Sequence, residues 1–333
     1  MISRSTLVGA LVVVELVIVA AAGSAIGGGS RSAPLPPGTH THFGIVFHNH
    51  DHRHHGAAAA PDVMSNLDKT FTAGGFSPRV VVDVVDVPVT VQTGSVPAVH
   101  VVGSVHKSGY ANPEDGAISA VPTADGVRIT AGDTSNVRGT FERTLRLTVP
   151  PGALVEIASG GAVTASGLRA KLIAHVKDGA IRVSNHRADV DVTTASGDVE
   201  LVDVQADAIV AHTDDGRVKL TSVGADHFDV HSSSGAIAAS DLRAVDGTLT
   251  TADGAVGVTF AASSDANVRL HTDDGSITGA GPAPETTPAP ETSAAPESSG
   301  SGETRMVRLG SARGSFTVST DSGSITISQG AKA

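Results

Sequence analysis

The sequence predicts an all-β protein: a single-stranded β-solenoid, β-helix-like, with 18–21-residue coils, an irregular N-terminal β section as its cap and one N-terminal hydrophobic helix. Three observations predict it. A Gly followed two residues later by Ile or Val recurs at Gly161, Gly179, Gly197, Gly216, Gly235, Gly254 and Gly275, at spacings of 18, 18, 19, 19, 19 and 21. Around each Gly, apolar residues alternate with polar ones at the period of two that belongs to strands. The apolar content of 40% carries only 3% aromatics, with Tyr110 the single Tyr and no Trp, so the interior is built from Val, Ala, Leu and Ile.

The elements follow in order. Residues 1–27 hold Arg4 and an apolar run from Leu7 to Ile26 whose one charge is Glu15. Twenty residues rising about 1.5 Å each span a hydrocarbon core of roughly 30 Å. The run is either a retained signal-anchor, which would tether the protein to the membrane, or a signal peptide cleaved after Ala22 or Ala25. Either way the remainder is exported, to the cell envelope as a single-pass protein with its body outside the cytoplasm, or as a secreted one. Residues 28–66 are Gly-, Pro- and His-rich and read as a flexible spacer. Residues 67–152 form the irregular β section: a strand over Arg79 to Thr93 with Pro88 placing it at an edge or start, then His100 to Val105, Val127 to Thr130 and Thr144 to Val149, closed by Pro150-Pro151-Gly152.

Residues 153–280 are the repeats. Two after each Gly stand Val163, Ile181, Val199, Val218, Ile237, Val256 and Ile277, and four after stand Ala165, Val183, Leu201, Leu220, Ala239 and Val258. Seven and five before it come Leu172, Val190, Ile209, Phe228 and Val268, then Ala174, Val192, Ala211, Val230, Leu249 and Leu270. Each coil therefore has at least two strands facing one interior, and buries that face only by stacking on its neighbours. Ala170, Ala188, Ala206, Ala225 and Ala244, nine after the Gly, predict an interior column with room for a methyl group. Asp178, Ser196, Asp215, Ser234, Asp253 and Asp274 precede the Gly, which predicts a tight turn with φ > 0 at the Gly. Residues 281–303, rich in Pro, Glu, Thr and Ser, read as a disordered insertion, and residues 304–333 resume the pattern with Phe316, Val318, Gly323, Ile325 and Ile327 as a closing coil and tail.

Lys69-Thr70-Phe71, the run Leu145-Arg146-Leu147-Thr148-Val149-Pro150, coils such as Val192 to Leu201 and the ending Ser319 to Ile327 together resemble a bacterial family of candidate adhesins, β-strand-repeat proteins of unknown function, over residues 67 to 328. The resemblance implies an all-β repeat fold, frequent membrane attachment and adhesion, and it brings no active site with it. The His-rich spacer and the Pro/Glu/Thr insertion depart from the family's plain pattern.

Composition narrows the functions. Formal net charge is −11, without a Lys/Arg stripe, which argues against a nucleic-acid partner. There is no Cys, hence no disulfide or thiolate zinc site. The reading is a non-enzymatic envelope protein presenting a binding surface to a protein or surface-polymer ligand, as an adhesin or scaffold; the alternatives are an envelope-sensing partner of another membrane protein and a metal-binding protein. For the last, His48, His50, His52, His54 and His55 are the candidate ligands for Zn or Ni, since a chain can wrap several imidazoles around one ion. His175, His212, His231 and His271, four before the Gly, form an outward column in which His212 and His231 occupy successive coils. Asp214, Asp215, Asp273 and Asp274 sit at turns without the nonapeptide of calcium-binding β-rolls. A polysaccharide-active β-helix enzyme would need a set such as Asp191, Asp229, Arg182, Arg217 and Lys219 on one face, and the chain is almost without aromatic platforms for sugars.

Overall fold

The computed structural model describes residues 46–47, 63–72, 77–108, 115–132, 134, 140–279 and 302–330. The N-terminal apolar segment, the histidine tract and residues 281–301 of the expected insertion lie outside them. Among the described residues every regular element is a strand, and no helix is long and apolar enough to cross a membrane. The N-terminal section comprises β1 (Val46–Phe47), β2 (Val63–Thr72), β3 (Arg79–Val84), β4 (Val89–Thr93), β5 (Ala98–Ser108), β6 (Ile118–Pro122), β7 (Gly126–Ala131) and β8 (Thr140–Val149). The repeats supply β9 (Leu154–Ser159), β10 (Val163–Ser166), β11 (Leu172–Val176), β12 (Ile181–Arg187), β13 (Val190–Thr194), β14 (Val199–Thr213), β15 (Val218–Ser232), β16 (Ile237–Thr251), β17 (Val256–Phe260), β18 (Ala266–Thr272) and β19 (Ile277–Thr278). The C-terminal segment adds β20 (Glu303–Arg308), β21 (Gly314–Thr320) and β22 (Ile325–Gln329).

These strands form two long ladders and a short third side, where His186 pairs with Val204 and Val204 with Val223, and their inner faces share one core, a solenoid-like stack. The first ladder runs β8, β4, β10, β12, β14, β15, β16, β17, β22, β19, all parallel, with β5 and then β2 antiparallel beyond β8. The second runs β7, β3, β9, β11, β13, β14, β15, β16, β21, β18, also parallel, closed by antiparallel β6 on β7 and β20 on β18. β14, β15 and β16 belong to both ladders because each bends at a corner, where Asp203, Ser222 and Asp241 adopt φ of 52–54°. Asn185 does the same in β12. Asn and Asp tolerate this left-handed geometry better than branched residues, which is why the corner column reads Asn, Asp, Ser, Asp.

The inward columns stack as the repeat spacing predicts: Val163 on Ile181, then Val199, Val218, Ile237 and Val256 in register. All of these are fully buried, as are their partners Leu172, Val190 and Ile209 in the second ladder. Four expectations need correction. The repeat glycines are not left-handed; what demands Gly there is close approach, because a Cβ at Gly197 would sit 2.0 Å from the Gly179 carbonyl oxygen and one at Gly216 1.9 Å from that of Gly197. On the third side of the coil, Ala225 and Ala244 are buried as expected but Ala170, Ala188 and Ala206 only half-buried, and the continuous interior column lies two residues earlier, at Leu168, His186, Val204, Val223 and Leu242. The stretch from Arg79 to Thr93 is two strands, one in each ladder, and Pro88 marks the start of the second, β4, which is interior rather than an edge.

The fourth correction concerns order. The C-terminal coil does not close the stack: β21 lies between β16 and β18, and β22 between β17 and β19. The spacing of 21 from Gly254 to Gly275 is the trace of this, since the chain between β17 and β18 must climb past an extra strand. The N-terminal end repeats the device, with β3 between β7 and β9 and β4 between β8 and β10. Buried Arg143 on β8 holds the turn of that inserted unit, donating to Val85 O at 2.7 Å while it also reaches Gly132 O at 2.8 Å.

Candidate binding faces

Alternation puts every second side chain of each ladder on an outer face, at the spacing of parallel strands, about 4.8 Å. On the first ladder Arg182, Glu200 and Lys219 are adjacent rungs: Lys219 Nζ donates to Glu200 Oε1 at 2.9 Å, and Arg182 Nε lies 3.5 Å from Oε2. Farther along, the same face carries Ala238, Ser240, Gly257, Thr259, Thr326 and Ser328, which with Lys219 line an open groove of about 320 Å³. A second shallow depression, about 260 Å³, lies on the third side among Gln205, Gly224, Asp226, Arg243 and Asp265.

On the second ladder, the outward column runs His175, Thr193, His212, His231, Thr250, Ser319, His271. His212 and His231 do meet, with ring centroids 6.0 Å apart and planes at 86°. His212 Nε2 lies 3.4 Å from Asp229 Oδ2, an ion-pair distance for a protonated ring, without hydrogen-bond geometry. His271 is engaged by Thr304 and Asp273, and His175 is separated from His212 by Thr193. Among the described residues, no group of three or more His, Asp or Glu side chains is placed to hold a metal ion. Asp214, Asp215, Asp273 and Asp274 are exposed at the turns. The carboxylates and bases considered for sugar cleavage are not gathered on one face: Asp191 and Asp229 lie on the second ladder with Val210 between them, and Arg182 and Lys219 lie on the first. His48, His50, His52, His54 and His55 lie outside the described residues.

Two features behind these faces were not anticipated. From Gly197 onward a buried hydroxyl stands three before the Gly, and at Thr194, Thr213 and Ser232 it works in two directions. Thr213 Oγ1 donates to Gly197 O at 3.0 Å and accepts from Gly216 N at 3.0 Å, Ser232 repeats this with Gly216 and Gly235, and Thr194 with Gly179 and Gly197. Thr251, Thr320 and Thr272 continue the donation to the carbonyl of the coil beneath. The column was visible in the sequence as Thr or Ser at a fixed offset. The second feature is His186, fully buried in the aliphatic column of the third side, with Nε2 3.2 Å from Asp189 O and no partner for Nδ1. Burial holds its pKa below the ordinary histidine value.

The fold and faces together define an all-β repeat protein with regular columns of outward side chains. The Toastrack DUF4097 family model matches residues 79–328, and the chain belongs to that family. Among solved structures, it is similar to a candidate cell adhesion protein from Clostridium sporogenes ATCC 15579, with 11% identity over 80% of this chain and 100% of that one and a TM-score of 0.25. It is similar also to a candidate adhesin from Bacteroides fragilis NCTC 9343, with 13% identity, 79% and 96% coverage and a TM-score of 0.38. A candidate lipid binding protein from Parabacteroides distasonis ATCC 8503 has 10% identity, 80% and 95% coverage and a TM-score of 0.37. No curated protein matches the chain.

Proposed function

We propose that this chain is a non-enzymatic, exported cell-envelope protein whose solenoid flank binds a protein or surface polymer outside the cytoplasm, as an adhesin or envelope scaffold. The observation that carries this is the register itself: side chains such as Arg182, Glu200 and Lys219 recur in straight outward columns, which suits an extended ligand lying across several coils. The apolar run Leu7 to Ile26 supports export and membrane attachment. The test is a pull-down from detergent-solubilised membranes beside a binding assay with whole cells and matrix polymer. Retention of cells or polymer by the full chain, lost in an R182E/K219E variant, is the expected result. Recovery of one stoichiometric membrane protein with no cell or polymer binding would replace adhesion by envelope sensing.

The tract His48, His50, His52, His54 and His55 gives the protein a separate capacity for Zn²⁺ or Ni²⁺. Metal requires neutral imidazole, whose ordinary pKa is about 6.5, so binding is expected near neutral pH and lost by about pH 5. Calorimetry on the full chain with these five residues changed to Ser should show the loss. Undiminished binding would place the ligands elsewhere, with His212 and His231 the next to change.

A further inference from the structure

We infer that the C-terminal strands β20, β21 and β22 are an exchangeable module, and that a second copy of this chain can supply them to the slot between β16/β17 and β18/β19, linking two molecules by reciprocal strand insertion. The slot is defined on both sides. β21 pairs in parallel with β16 through Gly247 to Thr251 and with β18 through Ala266 to Thr272, while β22 pairs with β17 and β19. Among the described residues, every strand pairing of the module is made to these four strands.

Its fit is specific. Phe316 is fully buried, stacked over Gly247, and its ring meets Phe228 at 6.0 Å and Phe260 at 5.5 Å. Gly247 makes this possible, because a side chain there would collide with Phe228, its Cβ lying 2.4 Å from the Phe228 carbonyl oxygen. In a protein with eight Phe, three of them gathered around one inserted strand make a key. The hydroxyl column also crosses the module, with Thr320 donating to Gly254 O and Thr272 donating to Gly323 O.

What distinguishes this inserted unit from β3–β4 at the other end is its tether. β3 and β4 are joined by the short turn Val85 to Pro88, and β4 leads to β5 through Gly94 to Pro97. The C-terminal module is connected by the 22 residues from 280 to 301. Yet the two ends of that connection are already together: Ile277 N–H donates to Glu303 Oε2 at 2.8 Å, and Arg305 Nη1 donates to Gly279 O at 3.2 Å. A few residues would close that gap, whereas 22 residues can extend to roughly 70–80 Å, far enough to reach a neighbouring molecule. Insertion within one chain and between two chains forms the same bonds, so the balance is set by the effective concentration of the tethered module against the concentration of other copies. Crowding on a membrane surface shifts it toward exchange.

The absence of Cys makes a direct test available. Arg269 and Met306 face each other across the antiparallel β18–β20 pair, and both are exposed. Opposed residues in such a pair have Cα atoms about 4.5–5.5 Å apart, within the span of a disulfide. Full-length R269C and M306C chains in detergent are unfolded together, refolded as a mixture over a range of concentrations and oxidised. The expected product is a dimer joined by a 269–306 disulfide, its fraction rising with chain concentration, whereas V96C in place of R269C gives none. A mixture that stays monomeric, while the R269C/M306C double variant closes its disulfide within one chain, overturns the proposal, and so does equal dimer yield from V96C.

Discussion

His186 is an imidazole in a column otherwise made of Leu168, Val204, Val223 and Leu242, and it is retained there with one ring nitrogen unpaired. Its neutral tautomer with the proton on Nε2 donates to Asp189 O, leaving Nδ1 as a buried lone pair. Because burial lowers its folded pKa below the unfolded value of about 6.5, the unfolded chain takes up a proton first as pH falls. Stability from this residue is therefore intact above pH 6.5 and declines on acidification from there toward the depressed folded pKa. His186→Leu should remove that decline, and by relieving an unsatisfied buried group it should add about 1 kcal/mol at pH 7. Asp189 O keeps the Leu172 N–H donor in the variant. Urea midpoints of the two proteins at pH 7 and pH 5 measure both effects; parallel pH curves would show that His186 binds its proton equally well in the folded and unfolded chain. The hydroxyl column gives a second test at this scale. Thr213→Val keeps shape but removes two hydrogen bonds, and a loss of about 1–3 kcal/mol is expected from the same midpoints. The coil of Gly179 already carries Val176 at this position, so the column tolerates a gap without losing its register.

Strands show why glycine in this sequence has two meanings. At Gly197 the carbonyl of Gly179 occupies the place a Cβ would take, so Gly197→Ala forces adjacent coils apart and should cost at least about 2 kcal/mol, the range of core overpacking. At Gly257, on the outward face of β17, an added Cβ meets nothing within 4 Å. Gly257→Thr should therefore be neutral or stabilising by up to about 1 kcal/mol, because glycine weakens a strand interior. Denaturation of the two variants side by side checks the contrast, and equal losses would mean that strand glycines serve the backbone rather than the gap between coils. The sequence contained the periodicity of two and of 18–21, and with it the inward columns Val163 to Val256 in correct register. It did not distinguish a glycine demanded by a turn from one demanded by a carbonyl in the next coil, since both give the same spacing. The corner was legible in principle, as Asn185, Asp203, Ser222 and Asp241 fall at one offset, but hydrophobic alternation drew attention to the Ala column, buried only at Ala225 and Ala244, rather than to the larger interior side chains two residues earlier. The outward faces were legible as columns, whereas the approach of His212 to Asp229, diagonal because Asp229 lies opposite Val210, needed the register of neighbouring coils.

At the scale of the whole molecule the stack is ordered differently from the chain, and that is what period alone could not reveal. Leu270 and Ile277 match the columns of Leu249 and Val256, so the sequence is equally compatible with β18 and β19 lying directly on β16 and β17. The long spacing of 21 residues is the only local sign that they do not. In the structure β18 finds its strand partners in β20 and β21, and β19 finds its partner in β22, all contributed by residues 302–330. A chain ending at Ala280 therefore leaves both strands without a ladder, while β14 and β15 remain paired on both sides in each ladder. Hydrogen exchange on this truncated chain is expected to show Ala266–Thr272 amides losing their protection and Val199–Thr213 amides keeping theirs, because local opening follows the loss of partners rather than distance along the chain. Should Ala266–Thr272 stay protected, β18 would have settled directly onto β16 as a 21-residue coil. The inserted C-terminal strands would then be an optional addition to a complete stack instead of the piece that fixes its end.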